Sequence, residues 1–235
     1  MLKTSKEDDN MKAIIFDLDN TLIDFMKMKR KACRAAVDAM IKAGLKADRE
    51  EALKLIFELY DEYGYEYEHV FQALLKRMTG KVDYGIVAAG IVAYRKAREG
   101  LLYPYPDVVP TLNKLHRRGI KLAIVTDAPR IQAWIRLAAI GIQDMFDVVV
   151  TYDDSKEKKP SLKPFKLALK KLRIKPEDVV VVGDSIERDI VPAKRLGAKT
   201  VLARYGVVNK ESSEIKPDLE MMRFKEMLTI LESIK

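Results

Sequence analysis

Apolar and polar positions along this chain follow two different rhythms. From about residue 24 to 102 the apolar residues recur every three or four positions and no strand-like run interrupts them, which predicts helices throughout. Ala32, Ala35, Ala36, Ala39 and Met40 form the apolar stripe of the first helix, closed by Gly44. Asp48 with Glu51 reads as a capping box opening a second, which presents Ala52, Leu55, Ile56 and Leu59 on one face and ends near Gly64. A third carries Val70, Phe71, Leu74, Leu75 and Met78 up to Gly80, and a fourth runs from Asp83 to Gly100.

Outside that span short apolar runs alternate with amphipathic segments. Strands are predicted at Ala13–Phe16, 122–125, 148–151, 179–182 and, as the last of them, 200–203. Helices are predicted at 108–118, 131–139, Lys163–Leu172 and 188–196, with a C-terminal amphipathic helix from about Pro217. The YPYPD segment at 103–107 marks the return from the helical stretch, because Pro104 and Pro106 cannot continue a helix. The fold class expected is therefore α/β: a Rossmann-like parallel-sheet core from residues 1–23 and 104–235, with an α-helical bundle inserted at 24–103. In such sheets ligands bind beyond the carboxyl ends of the strands, and Asp17, Thr126 and Asp184 each follow an apolar run.

Composition narrows the function classes. An apolar share of 48% with 33% charged residues is ordinary for a soluble globular protein. No apolar stretch approaches a membrane span and the first ten residues lack a signal-like apolar core, so neither a membrane nor export is expected and the reading is cytoplasmic. Residues 1–10 read as a polar lead-in, with Met11 an alternative start to Met1. The lone Cys33 excludes a disulfide framework within one chain and reads as a small buried hydrophobe. The net charge of +8 comes from lysines interspersed with acids and from the cluster at 156–175. Without zinc-finger spacing, an RNA-binding aromatic signature or a basic arm, nucleic acid is not the expected partner, and a basic rim equally attracts anionic phosphate esters. Many Lys and Glu beside few Asn, Gln and Cys point to a thermophilic source.

The chemistry concentrates where strands end. In IIFDLDNTLID an apolar run delivers Asp17 and Asp19 two residues apart, with Thr21 two further on. Carboxylates that close oppose each other's ionisation, and a divalent cation would relieve them. A lone pair of this kind is equally a solvated turn or a helix cap. Thr126 followed by Asp127 closes a second strand and, alone, is as readily an N-cap. Lys159 opens KPSLKPF among Lys156, Lys158 and Lys163, where a solvated lysine face is the alternative. VVVVGDSIERD supplies Asp184 directly after a strand and Asp189 five residues on.

Taken in order, these four segments resemble the signatures of the haloacid dehalogenase superfamily of phosphotransferases. The resemblance implies that Asp17 is the nucleophile and Asp19 the general acid/base. It implies that Thr126, with the backbone N–H of Asp127, holds a phosphoryl oxygen and that Lys159 supplies the fixed cation, with Phe165 keeping the family's spacing six residues on. Ala128-Pro129 and the displaced Pro164 depart from the usual pattern. Asp184 would complete a Mg²⁺ site with Asp17 and the backbone carbonyl of Asp19, and Asp189 would act behind these ligands through water.

The helical insertion resembles the family's cap, which closes over the cleft and selects the substrate. Asp24, Lys27 and the aromatic turn with Tyr60, Tyr63, Tyr65 and Tyr67 are candidate contacts, against a reading of the tyrosines as incidental surface aromatics. His69 and His116 have no motif context and read as surface residues.

The function implied is Mg²⁺-dependent hydrolysis of a small phosphorylated metabolite, a sugar or triose phosphate such as glyceraldehyde 3-phosphate, by an enzyme that could pair as a homodimer. A dehalogenase would lack Asp19 and need no metal. A sugar phosphomutase would keep every residue named, and a non-enzymatic basic binding domain would require the acids to be vestigial.

Overall fold

The computed structural model describes residues 11–208 and 213–234, so the expected polar lead-in at 1–10 lies outside the described residues. The chain divides into two compact units, Phe25–Leu102 and the remainder, Met1–Asp24 with Tyr103–Lys235.

The first of these is all helical: α1 (Phe25–Lys42), α2 (Arg49–Tyr63), α3 (Val70–Thr79) and α4 (Tyr84–Glu99). Local chemistry sets the ends. Asp48 accepts a hydrogen bond from the Glu51 N–H at the start of α2, and Asp83 accepts from the Gly85 and Ile86 N–H groups at the start of α4. Gly80 closes α3 in the left-handed region at φ 78°. The interior is built from the predicted stripes, among them Ala36, Met40, Ile56, Leu59 and Leu74, with Cys33 buried beside them. Gly90 lets α4 approach α1 closely, since a Cβ there would lie 2.8 Å from Met40 Sδ. Lys29 is buried as well, its Nζ donating to the Tyr65 carbonyl at 2.6 Å and lying 4.1 Å from the Tyr60 ring centre. That anchoring draws the aromatic turn inward: Tyr60 is buried and stacks on Tyr65 at 5.5 Å, whereas Tyr63, stacked on Tyr67, is 52% exposed.

The other unit is a parallel sheet. Its strands are β1 (Ala13–Phe16), β2 (Lys121–Val125), β3 (Val148–Val150), β4 (Val179–Gly183), β5 (Lys199–Ala203) and β6 (Leu219–Met221), in the order β3-β2-β1-β4-β5-β6. Helices α5 (Val108–Arg117), α6 (Arg130–Ala139), α7 (Tyr152–Ser155), α8 (Lys163–Leu172), α9 (Val191–Arg195) and α10 (Met227–Ser233) connect or follow the strands. Continuous apolar runs are what a sheet covered on both faces requires, and β1, β2 and β4 are buried almost throughout. On one face Ile15, Val125 and Val181 pack against Phe165 and Ala168 of α8, and on the other Phe16 meets Phe224 at a ring separation of 5.6 Å.

Three segments differ from the sequence reading. The segment expected to begin the C-terminal helix at about Pro217 instead forms β6, and α10 starts only at Met227. The cause is local: Asp218 accepts from the Thr200 N–H at 2.8 Å and the Thr200 hydroxyl at 2.7 Å, which ties the segment to the free edge of β5. The helix expected from Arg188 starts earlier as a wide π-type turn over Ile186–Ile190 before α9, and α7 adds a short helix inside the lysine-rich loop.

Register aligns the strand ends. Phe16 pairs with Ile124 on β2 and with Val182 on β4, so Asp17, Thr126 and Asp184 emerge together at the carboxyl edge. Because β2 and β4 flank β1 while the chain runs outward in opposite directions, this edge is also the topological switch point of the sheet.

Candidate active site

Asp17 stands at the end of β1, fixed by its N–H bond to the Val182 carbonyl at 2.8 Å. It is 4% exposed, and burial pushes its carboxyl up to about 7 against the opposing pull of Lys159. Lys159 Nζ donates to Asp17 Oδ1 and to Asp189 Oδ1, both at 2.6 Å. Burial works against the charged amine, but the two carboxylates outweigh it and hold the Lys159 pKa above the ordinary lysine value. Lys156, Lys158 and Lys163 are all exposed, so among these lysines only Lys159 enters the cleft.

The loop that carries Lys159 is held by Asp127. Its Oδ1 accepts from the Lys159 N–H at 2.9 Å and its Oδ2 from Arg188 Nη2 at 3.0 Å. Asp127 thus contributes a side chain as well as the backbone N–H read from the sequence. The buried Thr126 hydroxyl accepts from the Ala128 N–H at 3.1 Å, which shapes the turn into α6 despite the Ala-Pro departure.

Asp189 lies closer than its sequence reading suggests. The π-type turn brings its carboxylate back beneath the end of β4, where Oδ2 accepts from the Ser185 N–H at 3.2 Å. Gly183 makes the room: a Cβ there would lie 2.2 Å from the Asp189 carboxylate. Asp17, Asp184 and Asp189 each offer an oxygen within 4.8 Å of the others. Burial, reinforced by Asp17 and Asp189, pushes the Asp184 carboxyl up to about 9. Beside the Lys159 ammonium and the Arg188 guanidinium these three carboxylates cannot all stay ionised in a desolvated place, and an all-oxygen donor set of this kind fits a hard divalent cation.

Asp19 sits on the loop after β1, where Asn20 takes a left-handed φ of 60° and its N–H bonds the Ile23 carbonyl at 2.8 Å. Its Oδ2 accepts from Arg136 Nη1 at 2.7 Å. A segment after β5 supports the same loop: Tyr205 donates its hydroxyl to the Thr21 carbonyl at 2.8 Å, and a Cβ on Gly206 would lie 1.7 Å from the Asn20 carbonyl oxygen. Tyr105 bonds Asp24 and stacks edge-on against Tyr205. Lys27, His69 and His116 are exposed.

Arg136, Arg188, Tyr205 and Gly206 were not legible as site residues. Arg136 left one signal, an arginine on the same helical face as Ala133 and Leu137 in an otherwise apolar stretch, and Arg188 lies inside the last signature. Tyr205 and Gly206 left none, because their role depends on the close approach of a distant loop.

Comparison with known proteins agrees with this geometry. Residues 11–197 match the family of haloacid dehalogenase-like hydrolases. The chain is 36% identical to glyceraldehyde 3-phosphate phosphatase of Methanocaldococcus jannaschii over 96% of this chain and 99% of that one. It is 37% identical to the protein of the same name from Methanopyrus kandleri, over 95% and 98% of the respective chains. These archaeal relatives fit the thermophilic composition. The crystal structure of a HAD phosphatase from Thermococcus onnurineus superposes with a TM-score of 0.65 at 26% identity, over 94% of this chain and 98% of the other. The parallel sheet, the ordered signatures and these matches together make this chain a member of the haloacid dehalogenase-like hydrolase family.

Proposed function

We propose that this hydrolase removes the phosphoryl group from a small phosphate monoester through an aspartyl-phosphate on Asp17. The chain is a phosphoric monoester hydrolase, in line with its archaeal relatives, and a triose phosphate such as glyceraldehyde 3-phosphate is the substrate that those relatives' names favour. Asp17, Asp184 and the backbone carbonyl of Asp19, with Asp189 alongside, would hold Mg²⁺, which when bound neutralises charge on the phosphoryl oxygens and the nucleophile.

In the first half-reaction an Asp17 carboxylate oxygen bonds to phosphorus as the ester oxygen leaves, and Asp19 gives that alkoxide its proton. In the second, Asp19 takes a proton from water as the water oxygen bonds to phosphorus and Asp17 departs. Lys159 balances charge on Asp17 and the transferring group, while the Thr126 hydroxyl and the Asp127 N–H bind phosphoryl oxygens. Residues 24–103 act as the cap that excludes water and selects the ester, in the cytoplasm.

The observation that carries this reading is the buried ammonium of Lys159 bridging Asp17 and Asp189 at the sheet's switch point. A panel of phosphorylated metabolites, assayed for inorganic phosphate with and without chelator, tests it. Phosphate release that needs the metal, with a triose phosphate among the best substrates, is the expected result. An isomerised sugar phosphate without free phosphate would identify a mutase instead.

A further inference from the structure

We infer that Arg136 is a positioning residue that aims the Asp19 carboxylate for proton transfer, an inference that rests on Asp19 being the acid/base. The observation is a charge on the buried face of a helix whose other buried positions are apolar. On α6 the buried positions are Ala133, Arg136 and Leu137, and the Arg136 side chain is 6% exposed. A guanidinium withdrawn from water is costly unless an anion with good geometry meets it. Asp19 Oδ2 does so at 2.7 Å, from a loop 117 residues away in sequence.

The two ends of this pair differ in what fixes them. The Asp19 backbone is set by its loop: Asn20 holds its left-handed conformation, and Gly206 presses against the Asn20 carbonyl from the far side. Those contacts act on the backbone, and the Asp19 side chain, 22% exposed, is met at its Oδ2 by the guanidinium. Arg136 constrains that carboxylate directly, since its fork of N–H donors on a helix restricts where a bonded carboxylate can sit. A proton donor misaimed by an ångström loses much of its effect even when the rest of the site is intact. Arg136 does not itself exchange a proton, because a guanidinium stays charged across the working range. Its helix starts at the turn shaped by Thr126, so one rigid element links the phosphoryl-binding strand end to the proton donor.

The test compares full-length Asp19→Asn, Arg136→Gln, Arg136→Lys and the Asp19→Asn/Arg136→Gln double variant in the presence of Mg²⁺. For each, kcat/KM is measured on p-nitrophenyl phosphate, whose leaving group needs no proton, and on the alkyl ester turned over fastest in the metabolite panel. Because both values come from one preparation, their ratio is independent of the fraction that folds. Arg136→Gln should lower kcat/KM on the alkyl ester about 100-fold while changing the aryl ester by less than about threefold, the size expected of general-acid assistance. Arg136→Lys should recover part of the loss, and the double variant should fall no further than Asp19→Asn alone. Equal losses on both esters for Arg136→Gln beside a selective loss for Asp19→Asn, or losses that multiply in the double variant, would overturn the inference. If Asp19→Asn itself showed no preference between the esters, the acid role of Asp19 would fail, and the role of Arg136 with it.

Discussion

The ammonium of Lys159 lies 2.6 Å from Asp17 Oδ1 with its side chain wholly withdrawn from solvent. The same nitrogen meets Asp189, so one cation holds together two carboxylates that would otherwise repel. Breaking a buried pair by removing one partner strands the other charge and costs about 3–5 kcal/mol. Lys159→Met should therefore lower unfolding stability by that order and cut turnover by roughly 1,000-fold, the scale of losing one preorganised electrostatic contact. Denaturant unfolding alongside steady-state assays checks both, and a variant as stable and active as the wild type would remove Lys159 from the site.

Burial, together with Asp17 and Asp189, opposes ionisation of Asp184, and a bound cation would favour it. Because the metal-free protein must hold the Asp184 carboxyl protonated near neutral pH, Asp184→Asn, which removes that cost, should raise the melting temperature of the metal-free protein by several degrees, about 2–4 °C for each kcal/mol in a chain of this size. It should also abolish the further rise that Mg²⁺ gives the wild type. A variant that kept the full Mg²⁺-induced shift would show that the ion binds elsewhere.

Gly183 is required by the packing of Asp189. Gly183→Ala puts a Cβ 2.2 Å from that carboxylate, and overpacking of this kind costs typically about 1–3 kcal/mol. Because the displaced group is a partner of Lys159, activity should fall further than stability does. Thermal melts and turnover measured together would expose the opposite outcome, a silent substitution.

These two positions also mark how far the sequence could be read. The acidic residues after strands were visible because Ile14, Ile15 and the valines at 179–182 are buried on both faces and leave a run that no amphipathic helix shares. That Asp189 reaches the cluster directly was not visible, because it depends on a wide turn at 186–190 and on the missing side chain of Gly183. Strand β6 was lost for a related reason. Three residues carry too little periodicity to oppose the helical pattern that follows, and its placement comes from Asp218 reaching across to Thr200. Arg136 shows the general limit, since a sequence reveals that a charge lies on a buried face but not which distant group meets it.

The Asp218 contact also predicts a pH dependence. Partial burial acts against its ionised form, but hydrogen bonds from Lys194 and Thr200 prevail and hold the carboxyl below its ordinary value of 3.8. A carboxyl with a lowered folded-state pKa contributes stability that is fully present above the unfolded value and is lost as pH falls through the folded one. Asp218→Asn should thus cost roughly 1–2 kcal/mol near neutrality, the worth of its charge-assisted bonds after partial exposure, and the gap from wild type should close below about pH 4. Unfolding free energies at pH 7 and pH 3 decide it, and a gap that stayed constant would mean the charge of Asp218 contributes nothing.

Covalent catalysis by Asp17 is tested most directly by trapping. Acid quench during the first turnover of p-nitrophenyl phosphate, followed by mass analysis of the digested protein, should show a phosphoryl group on the peptide containing Asp17 that hydroxylamine removes, and no such adduct in Asp17→Asn. An enzyme that turns over this ester at its full rate with no adduct on that peptide, or with the adduct on another residue, would contradict Asp17 as the nucleophile.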